Sequence, residues 1–200
     1  GALATSILLV KTDKSLEPAI RESYFQVISI ITCTGFSSAN FAGWPMAGTL
    51  LLFILMFSGG STCSTSGGIK MARHLVVIKN IKTVFIKLSH PNQVVPVKLN
   101  GKPISEGTNI SILSFIVLYL FIFMVGTVII VASGVDPVSA SSSVATCMAG
   151  IGPGLGSVGP SASFAAIPVI SRVVLSILMI LGRLEIITVF VLFSRSFWKL

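Results

Sequence analysis

Charged residues are scarce in this sequence. Of its 200 residues only 10% are Asp, Glu, Lys or Arg, whereas a typical soluble domain has about 25%. Apolar residues make up 53% of the chain, and the mean hydropathy is +0.96. So few charges cannot cover a normal water-exposed surface, and so much apolar surface excludes a disordered chain. The composition therefore predicts a membrane-embedded protein.

Cysteine and histidine are also rare. The three cysteines, Cys33, Cys63 and Cys147, have no CxxC spacing and lie in apolar or Gly/Ser/Thr-rich stretches, which argues against a disulfide scaffold or a zinc site. The two histidines, His74 and His90, have no evident nucleophile or carboxylate partner. Because no acid–base or nucleophile constellation is visible, we predict that the protein is not an enzyme and needs no cofactor.

Acidic residues are absent from one long basic segment. Seven cations occur there without an Asp or Glu between them: Lys70, Arg73, Lys79, Lys82, Lys87, Lys98 and Lys102. Such a run could contact nucleic acid, but in a chain this apolar the positive-inside rule favours a cytoplasmic loop near anionic lipid. We therefore predict no nucleic-acid partner. We expect the 70–102 loop and the basic carboxyl terminus in the cytoplasm, and a β-hairpin at 96–104 around an Asn-Gly turn.

Long apolar runs mark the predicted membrane spans. Ile110–Ala132 is free of charge and as a helix extends about 34 Å, enough to cross a bilayer. Residues 164–193 form a second apolar stretch, interrupted by Arg172, Arg183 and Glu185. We expect this stretch to cross back to the cytoplasmic side.

The segment between these spans has the pattern of a re-entrant pore loop. Asp136 and Pro137 are suited to cap and begin a helix, which at about 15 residues is too short to span. The Gly-rich sequence GIGPGLGSVGP follows and cannot remain helical. Irregular backbone at membrane depth is tolerated only where it is buried in protein or lines a water-filled cavity.

The same plan occurs earlier in the chain. Glu17 and Pro18 open a short segment that ends in ITCTGF, and a loop and an apolar span follow. Aligning ITCTGF with the later MAGIGP superposes Gly35 on Gly152. Repeats on this scale are common in transport proteins.

This repeat predicts an all-α membrane protein built from span–pore helix–filter–span units. The first unit is residues 1–105, with a truncated first span, and the second is residues 106–200. Because the sequence starts with Gly1 directly before an apolar run, we expect it to be part of a longer polypeptide with two of an expected four units.

Glycine at the end of each short helix suits cation binding through the backbone. Gly allows dihedral angles that direct successive carbonyl groups inward, and a ring of carbonyls replaces the hydration shell of an ion. The negative carboxyl ends of two short helices add attraction for a cation. Thiols bind alkali ions poorly, so we expect Cys33 to contribute only its backbone.

Four motifs, in this order and setting, resemble the membrane subunit of Trk-type potassium uptake systems, the TrkH branch of the Trk/Ktr/HKT superfamily: ITCTGF, SGGSTCSTSGGIK, GIGPGLG and GRLEI. The resemblance covers essentially the whole chain. It implies four linked repeats around one pore in the bacterial inner membrane, with this chain as the third and fourth, and potassium as the substrate. The implied filter residues are Thr32, Cys33, Thr34 and Gly35 in one repeat and Ala149, Gly150, Ile151 and Gly152 in the other.

The resemblance also implies a gate below the filter. An intramembrane loop and one arginine form it: Gly59, Gly60, Ser61, Thr62, Ser64, Thr65, Ser66, Gly67, Gly68 and Arg183. A mid-span arginine costs about 2.5 kcal/mol or more to insert, which independently favours the bundle interior or the pore for Arg183. Glu185 lies about 200° further round the same helix, so we expect it to pair with another segment, such as a missing repeat.

The resemblance further implies several partners. They are the missing first and second repeats of the same polypeptide, a second copy in a homodimer of the full protein, and a cytosolic nucleotide-binding regulatory subunit. The lipid bilayer surrounds the protein.

Other interpretations stay open at this point. GLGSVG (154–159) matches the GxGxxG of dinucleotide-binding folds, but no strand pattern precedes it and the next acidic residue, Glu185, lies in a predicted span. The 59–68 loop could be a flexible kink rather than a gate. Because two repeats cannot close a four-fold ring, the chain could also be a pore-less membrane scaffold or regulatory subunit.

Overall fold

The computed structural model describes residues 2–11, 15–62, 64–90, 93, 95–99, 101–193 and 197–198, and these are mostly helical. The helices described are α1 (Ala2–Lys11), α2 (Leu16–Ile31), α3 (Met46–Leu55), α4 (Met71–Ser89), α5 (Glu106–Ala132), α6 (Pro137–Ala149), α7 (Val169–Arg183) and α8 (Ile186–Leu192). The strands are β1 (Ser58–Gly59), β2 (Ile69–Lys70), β3 (Lys98–Leu99) and β4 (Lys102–Pro103). Short 3-10 turns lie at Phe41–Gly43, Gly156–Val158 and Phe164–Ala166.

Helix α5 is the predicted first crossing. Among the described residues it is the one helix that is long and apolar enough to cross a membrane by itself. It begins four residues before the predicted start, at Glu106, because the Ser105 hydroxyl caps it by accepting from the Thr108 amide at 3.3 Å. Large apolar side chains such as Val117 and Phe121 are exposed along it, as expected for a surface that faces lipid.

The predicted second crossing, residues 164–193, is broken rather than continuous. Helix α7 begins only after Pro168, and α7 and α8 meet at an angle of 99°. Between them Glu185 has φ +56°, in the left-handed region that an α-helix of L-residues cannot contain. Taken together, α7 and α8 pass the length and composition test for a broken span or a re-entrant segment.

Helix α6 lies at the centre of the second unit, packed between α5 and α7. Ten of its 13 residues are buried, and most of them are small. The buried hydroxyls of Ser142, Ser143 and Thr146 donate to carbonyl groups within the helix, as from Ser143 Oγ to the Ala140 carbonyl at 2.7 Å. A Cβ on Gly126 of α5 would lie 3.0 Å from Leu178 Cδ1, so the small residue sets the close approach of α5 to its neighbours.

The first unit packs α2 against α1 and α3 around Phe41, Leu52 and Met56, which are fully buried. The sequence predicts that Glu17 and Pro18 open this helix, and α2 begins at Leu16 with Pro18 in its first turn. Proline has no amide hydrogen, but amides in the first turn of a helix have no partner within the helix, so nothing is lost there. Thr5 of α1 and Ser23 of α2 share a hydrogen bond of 2.5 Å between their hydroxyl oxygens.

Two further predictions are decided by the fold. The β-hairpin is confirmed: β3 and β4 pair antiparallel around Gly101, which has φ +80°, while Asn100 lies outside the described residues. The dinucleotide interpretation of GLGSVG is wrong, because the helix α6 precedes it and a 3-10 turn forms inside it.

Candidate functional site

The carboxyl ends of α2 and α6 have the same backbone design. After α2, the Cys33 amide donates to the Ile30 carbonyl at 3.1 Å, and the Thr34 amide donates to the Ser29 carbonyl at 2.9 Å. After α6, the amides of Gly150 and Ile151 make the same two bonds, to Cys147 at 3.2 Å and Thr146 at 3.0 Å. Each bond in the second unit lies 117 residues after its counterpart, which is the spacing of the aligned Gly35 and Gly152.

The same two positions of each unit adopt positive φ. The second residue of each predicted filter segment has φ +55° in Cys33 and +70° in Gly150, and the fourth has +77° in Gly35 and +116° in Gly152. A Cβ on Gly35 would overlap the carbonyl oxygen of Ile151. The two predicted filter segments therefore touch each other, and glycine is required at this contact for both its conformation and its size.

The first two residues of each segment share a cavity of about 600 Å³ with part of the predicted gate. Thr32, Cys33, Ala149 and Gly150 line it, together with Thr65, Ser66, Gly67 and Arg183. Later residues of the segments line other cavities: Gly35 lines one of about 330 Å³, and Ile151 and Gly152 line one of about 500 Å³ beside Arg172, which Gly150 lines too. The predicted gate residues Gly59, Gly60, Ser61, Thr62, Ser64 and Gly68 do not line the shared cavity.

The 59–68 loop is closed at its neck. Strands β1 and β2 pair in parallel, with Ser58 opposite Ile69 and Gly59 opposite Lys70. A Cβ on Gly59 would overlap the Gly67 carbonyl oxygen, so the two loop ends are in direct contact. Cys63 lies outside the described residues.

Serine hydroxyls hold the inside of the loop. Ser64 Oγ and Ser66 Oγ are 2.6 Å apart, and Ser66 Oγ accepts from the Gly60 amide at 2.8 Å. A Cβ on Gly67 would overlap the Ala149 carbonyl oxygen at the end of α6. The loop is thus internally hydrogen-bonded and packed against one predicted filter segment, as irregular backbone at membrane depth requires.

Arg183 contacts the loop directly. Its Nη1 donates to the carbonyl oxygen of Thr65, and its side chain lines the shared cavity. This places a permanent positive charge next to the first two residues of both predicted filter segments. Such a charge opposes the approach of another cation.

The expected partner of Glu185 is corrected by the structure. Glu185 does pair with another segment, but that segment is in this chain: Lys70 Nζ lies 3.2 Å and Arg73 Nη2 3.1 Å from its carboxylate oxygens. The guanidinium of Arg73 also stacks over the Phe115 ring, 3.8 Å from its centroid. Reasoning from sequence assigned Lys70 and Arg73 only to topology, because neither has an acidic residue near it along the chain.

A second repeated motif was missed, although its signal is in the sequence. FAGWP (41–45) and FAAIP (164–168) each form a 3-10 turn followed by proline and a helix. Each turn is capped alike, with Asn40 Oδ1 accepting from the Ala42 amide at 3.0 Å and Ser163 Oγ accepting from the Ala165 amide at 3.2 Å. These turns direct α3 and α7 back toward the helix ends described above.

Known proteins match this chain over most of its length. The family model for TrkH, a cation transport protein, matches residues 10–200. The Trk system potassium uptake protein TrkH of Halomonas elongata is 36% identical over 198 residues, which cover 98% of this chain and 41% of the relative. The Escherichia coli K12 protein of that name is 36% identical over 180 residues, covering 90% of this chain and 37% of its own length.

A solved structure agrees with these relatives. The crystal structure of the potassium transporter TrkH from Vibrio parahaemolyticus matches with a TM-score of 0.90 and 32% identity, covering 99% of this chain and 42% of that one. The chain thus spans less than half the length of the relatives it matches. The predicted all-α membrane fold is confirmed, and the chain belongs to the TrkH family of cation transport proteins.

Proposed function

We propose that this chain supplies the third and fourth of four repeats, residues 1–105 and 106–200, of a potassium uptake pore in the bacterial inner membrane. The names of the relatives support potassium as the substrate. Their greater length supports first and second repeats elsewhere in the same polypeptide. No cofactor has a role in this proposal.

The observation that carries the proposal is the matched pair of helix ends. Thr32–Gly35 and Ala149–Gly152 are the filter segments, because both have positive φ at their second and fourth residues. Alternation of this kind directs successive carbonyl groups to one side, where they replace the water around an ion. The carboxyl ends of α2 and α6 add partial negative charge at the same place.

The gate in this proposal is the loop of residues 59–68 together with Arg183. The hydrogen bond from Arg183 to the Thr65 carbonyl supports it, as does the cavity that both share with the filter segments. Loop and guanidinium obstruct the path by volume and by charge. Displacing both opens it.

The cytoplasmic face is the one that carries the 70–102 segment and the carboxyl terminus. The absence of acidic residues from that segment supports this orientation. The relatives are named as parts of a Trk system, which supports a partnership with a further component, and in this proposal that component is a cytosolic nucleotide-binding regulatory subunit on this face. A homodimer of the full protein completes the proposed assembly within the bilayer.

The filter assignment is tested by Gly35→Ala in the full-length protein, expressed in bacteria that lack other potassium uptake. Gly43→Ala is the matched control, because Gly43 has no positive φ and no atom lies within 4 Å of the place that its Cβ would take. Forcing a left-handed conformation on alanine costs about 1–2 kcal/mol, or about five- to thirtyfold in the population of the correct filter. We expect Gly35→Ala to lose potassium uptake, or its preference over sodium, at least to that extent.

Membrane levels of each variant are measured by immunoblot, and uptake is measured as initial rates for potassium, rubidium and sodium. Gly43→Ala should behave as the parent protein does. Normal uptake and ion preference in both Gly35→Ala and Gly152→Ala would overturn the filter assignment.

A further inference from the structure

We propose that Glu185 is a positioning residue that anchors the 59–68 loop in its closed position. It acts through Lys70, at the exit of the loop, and Arg73, one turn further along α4. The inference deepens the gate proposed above and rests on it for its effect on transport. The anchoring itself is a separate statement about where the loop is held.

The anchor begins with a bridge made by one ammonium group. Lys70 Nζ lies 3.2 Å from Glu185 Oε1 and also donates to the carbonyl oxygen of Thr62 at 3.0 Å. Glu185 thereby fixes a lysine that in turn holds the loop backbone. The Lys70 side chain is 19% exposed and the Glu185 side chain 44% exposed, so water screens this pair in part.

A second contact with the loop comes from the same break between α7 and α8. Arg183, two residues before Glu185, donates to the carbonyl oxygen of Thr65. The loop is therefore held at Thr62 and at Thr65, and both ties depend on the short stretch 183–185. The positive φ of Glu185 turns the chain here, so the carboxylate is directed toward α4 while the arginine reaches the loop.

Arg73 fixes the other carboxylate oxygen against the body of the protein. Its Nη2 donates to Glu185 Oε2 at 3.1 Å, and its guanidinium lies over the Phe115 ring of α5. A cation above an aromatic face is attracted by the ring. Through Arg73, Glu185 is thereby held in position against α5, a crossing helix, and not against the loop alone.

Charge explains why one carboxylate has so much effect. A cavity of about 120 Å³ behind the loop is lined by three cations, Lys70, Arg73 and Arg183, and by the single carboxylate of Glu185. Removal of that carboxylate leaves three like charges around the cavity without the anion that offsets their repulsion. Two of these cations hold the loop through the Thr62 and Thr65 carbonyl groups, so we expect the repulsion to weaken the contacts that hold the loop.

The test is Glu185→Gln in the full-length protein in lipid nanodiscs, followed by hydrogen-exchange mass spectrometry. Backbone exchange reports local opening directly. We expect amides of residues 61–68 to exchange at least about fivefold faster, the lower end of coupling between linked sites, while amides of α6 keep their rates. Glu17→Gln is the matched control, since Glu17 forms an exposed pair with Arg21 at the same 3.1 Å and should change neither.

Potassium flux in the same samples separates the anchor from the gate. If both are correct, Glu185→Gln raises the maximal rate and leaves the half-saturating potassium concentration unchanged, because the filter is untouched. Faster loop exchange with unchanged flux would keep the anchor and overturn the gate. Unchanged loop exchange would overturn the anchor, whatever the flux.

A second variant covers the case in which Glu185→Gln does not reach the membrane. Lys70→Met removes the ammonium group that joins Glu185 to the Thr62 carbonyl, and it should make amides of residues 61–68 exchange faster in the same way. A Lys70→Met variant that exchanges at the parent rate contradicts the proposal.

Discussion

The helix that follows the 3-10 turn is shorter in the first unit than in the second. After FAGWP, helix α3 runs ten residues to Leu55, and the chain then enters the 59–68 loop. After FAAIP, helix α7 runs fifteen residues to Arg183. When the two units are aligned on FAGWP and FAAIP, Gly59 and Gly60 of the first unit correspond to Gly182 and Arg183 of the second.

Segments at corresponding positions of the two units thus form the two sides of one contact. In the first unit the glycine pair opens a loop that presents the Thr65 carbonyl, and in the second the glycine is followed by the arginine that donates to it. The glycines keep one shared property: a Cβ on Gly59 would overlap the Gly67 carbonyl oxygen, and one on Gly182 that of Met148. The two units differ after the same turn, and because of this difference one unit provides the carbonyl acceptor and the other provides the arginine donor.

The largest expected effect comes from comparing Gly35 and Gly152, the two glycines of the proposed filter. Gly35→Ala has both a left-handed φ and an overlap with the Ile151 carbonyl, whereas Gly152→Ala has the unfavourable φ with open space around it. We expect Gly152→Ala to lower stability by about 1–2 kcal/mol and Gly35→Ala by about 1–3 kcal/mol more. Thermal unfolding of the purified full-length variants in detergent measures the difference. Equal losses would show that the two segments do not touch as described.

A smaller effect is expected where only the overlap operates. Gly182→Ala introduces a methyl group against the Met148 carbonyl, a backbone group that cannot move aside cheaply, so we expect a loss of about 1–3 kcal/mol. Gly107→Ala, also in a helix but with nothing within 4 Å, is the control and should be neutral or slightly stabilising. If Gly182→Ala unfolds at the parent temperature, α6 and α7 are further apart than the structure has them.

The smallest effect distinguishes the two short helices by their caps. The Asp136 carboxylate accepts from the amides of Val138 and Ser139 at 3.1 and 3.2 Å, whereas Ser15, the cap of α2, makes no side-chain bond to its helix. Asp136→Ala should cost about 1 kcal/mol and Ser15→Ala only a few tenths. Unfolding midpoints of the two variants, compared with the parent, decide it. A Ser15→Ala loss as large as that of Asp136→Ala would contradict the difference in capping.

Sequence alone predicts what local chemistry determines. Asp136 and Pro137 predict the start of α6, and the glycines at 150 and 152 predict its end, since each acts within a few residues of its own position. The alignment of Gly35 with Gly152 is matched by the backbone for the same reason. The hairpin at 96–104 follows from its turn residues in the same way.

Features that depend on distant partners could not be predicted. ILGRLEI has no proline and favours a continuous helix by its residues, yet the helix ends at Arg183 because Glu185 is held by Lys70 and Arg73, more than a hundred positions earlier. The role of those two cations was missed for the same reason. FAGWP and FAAIP were within reach of sequence comparison, but their spacing differs by six residues from that of the filter segments, so an ungapped alignment does not bring them together.

The pairing of β1 with β2 affects how fast the 59–68 segment can move. Because it joins the two ends of the 59–68 segment, the segment is a compact Ω-type loop, whose ends are close and whose own side chains pack inside it. Motions of such loops take nanoseconds to microseconds, whereas shifts of packed helices take microseconds to milliseconds. In the gate proposed above, the loop can therefore move faster than the helices around it rearrange, and we expect the slow step of opening to be the release of the loop from its contacts rather than its movement.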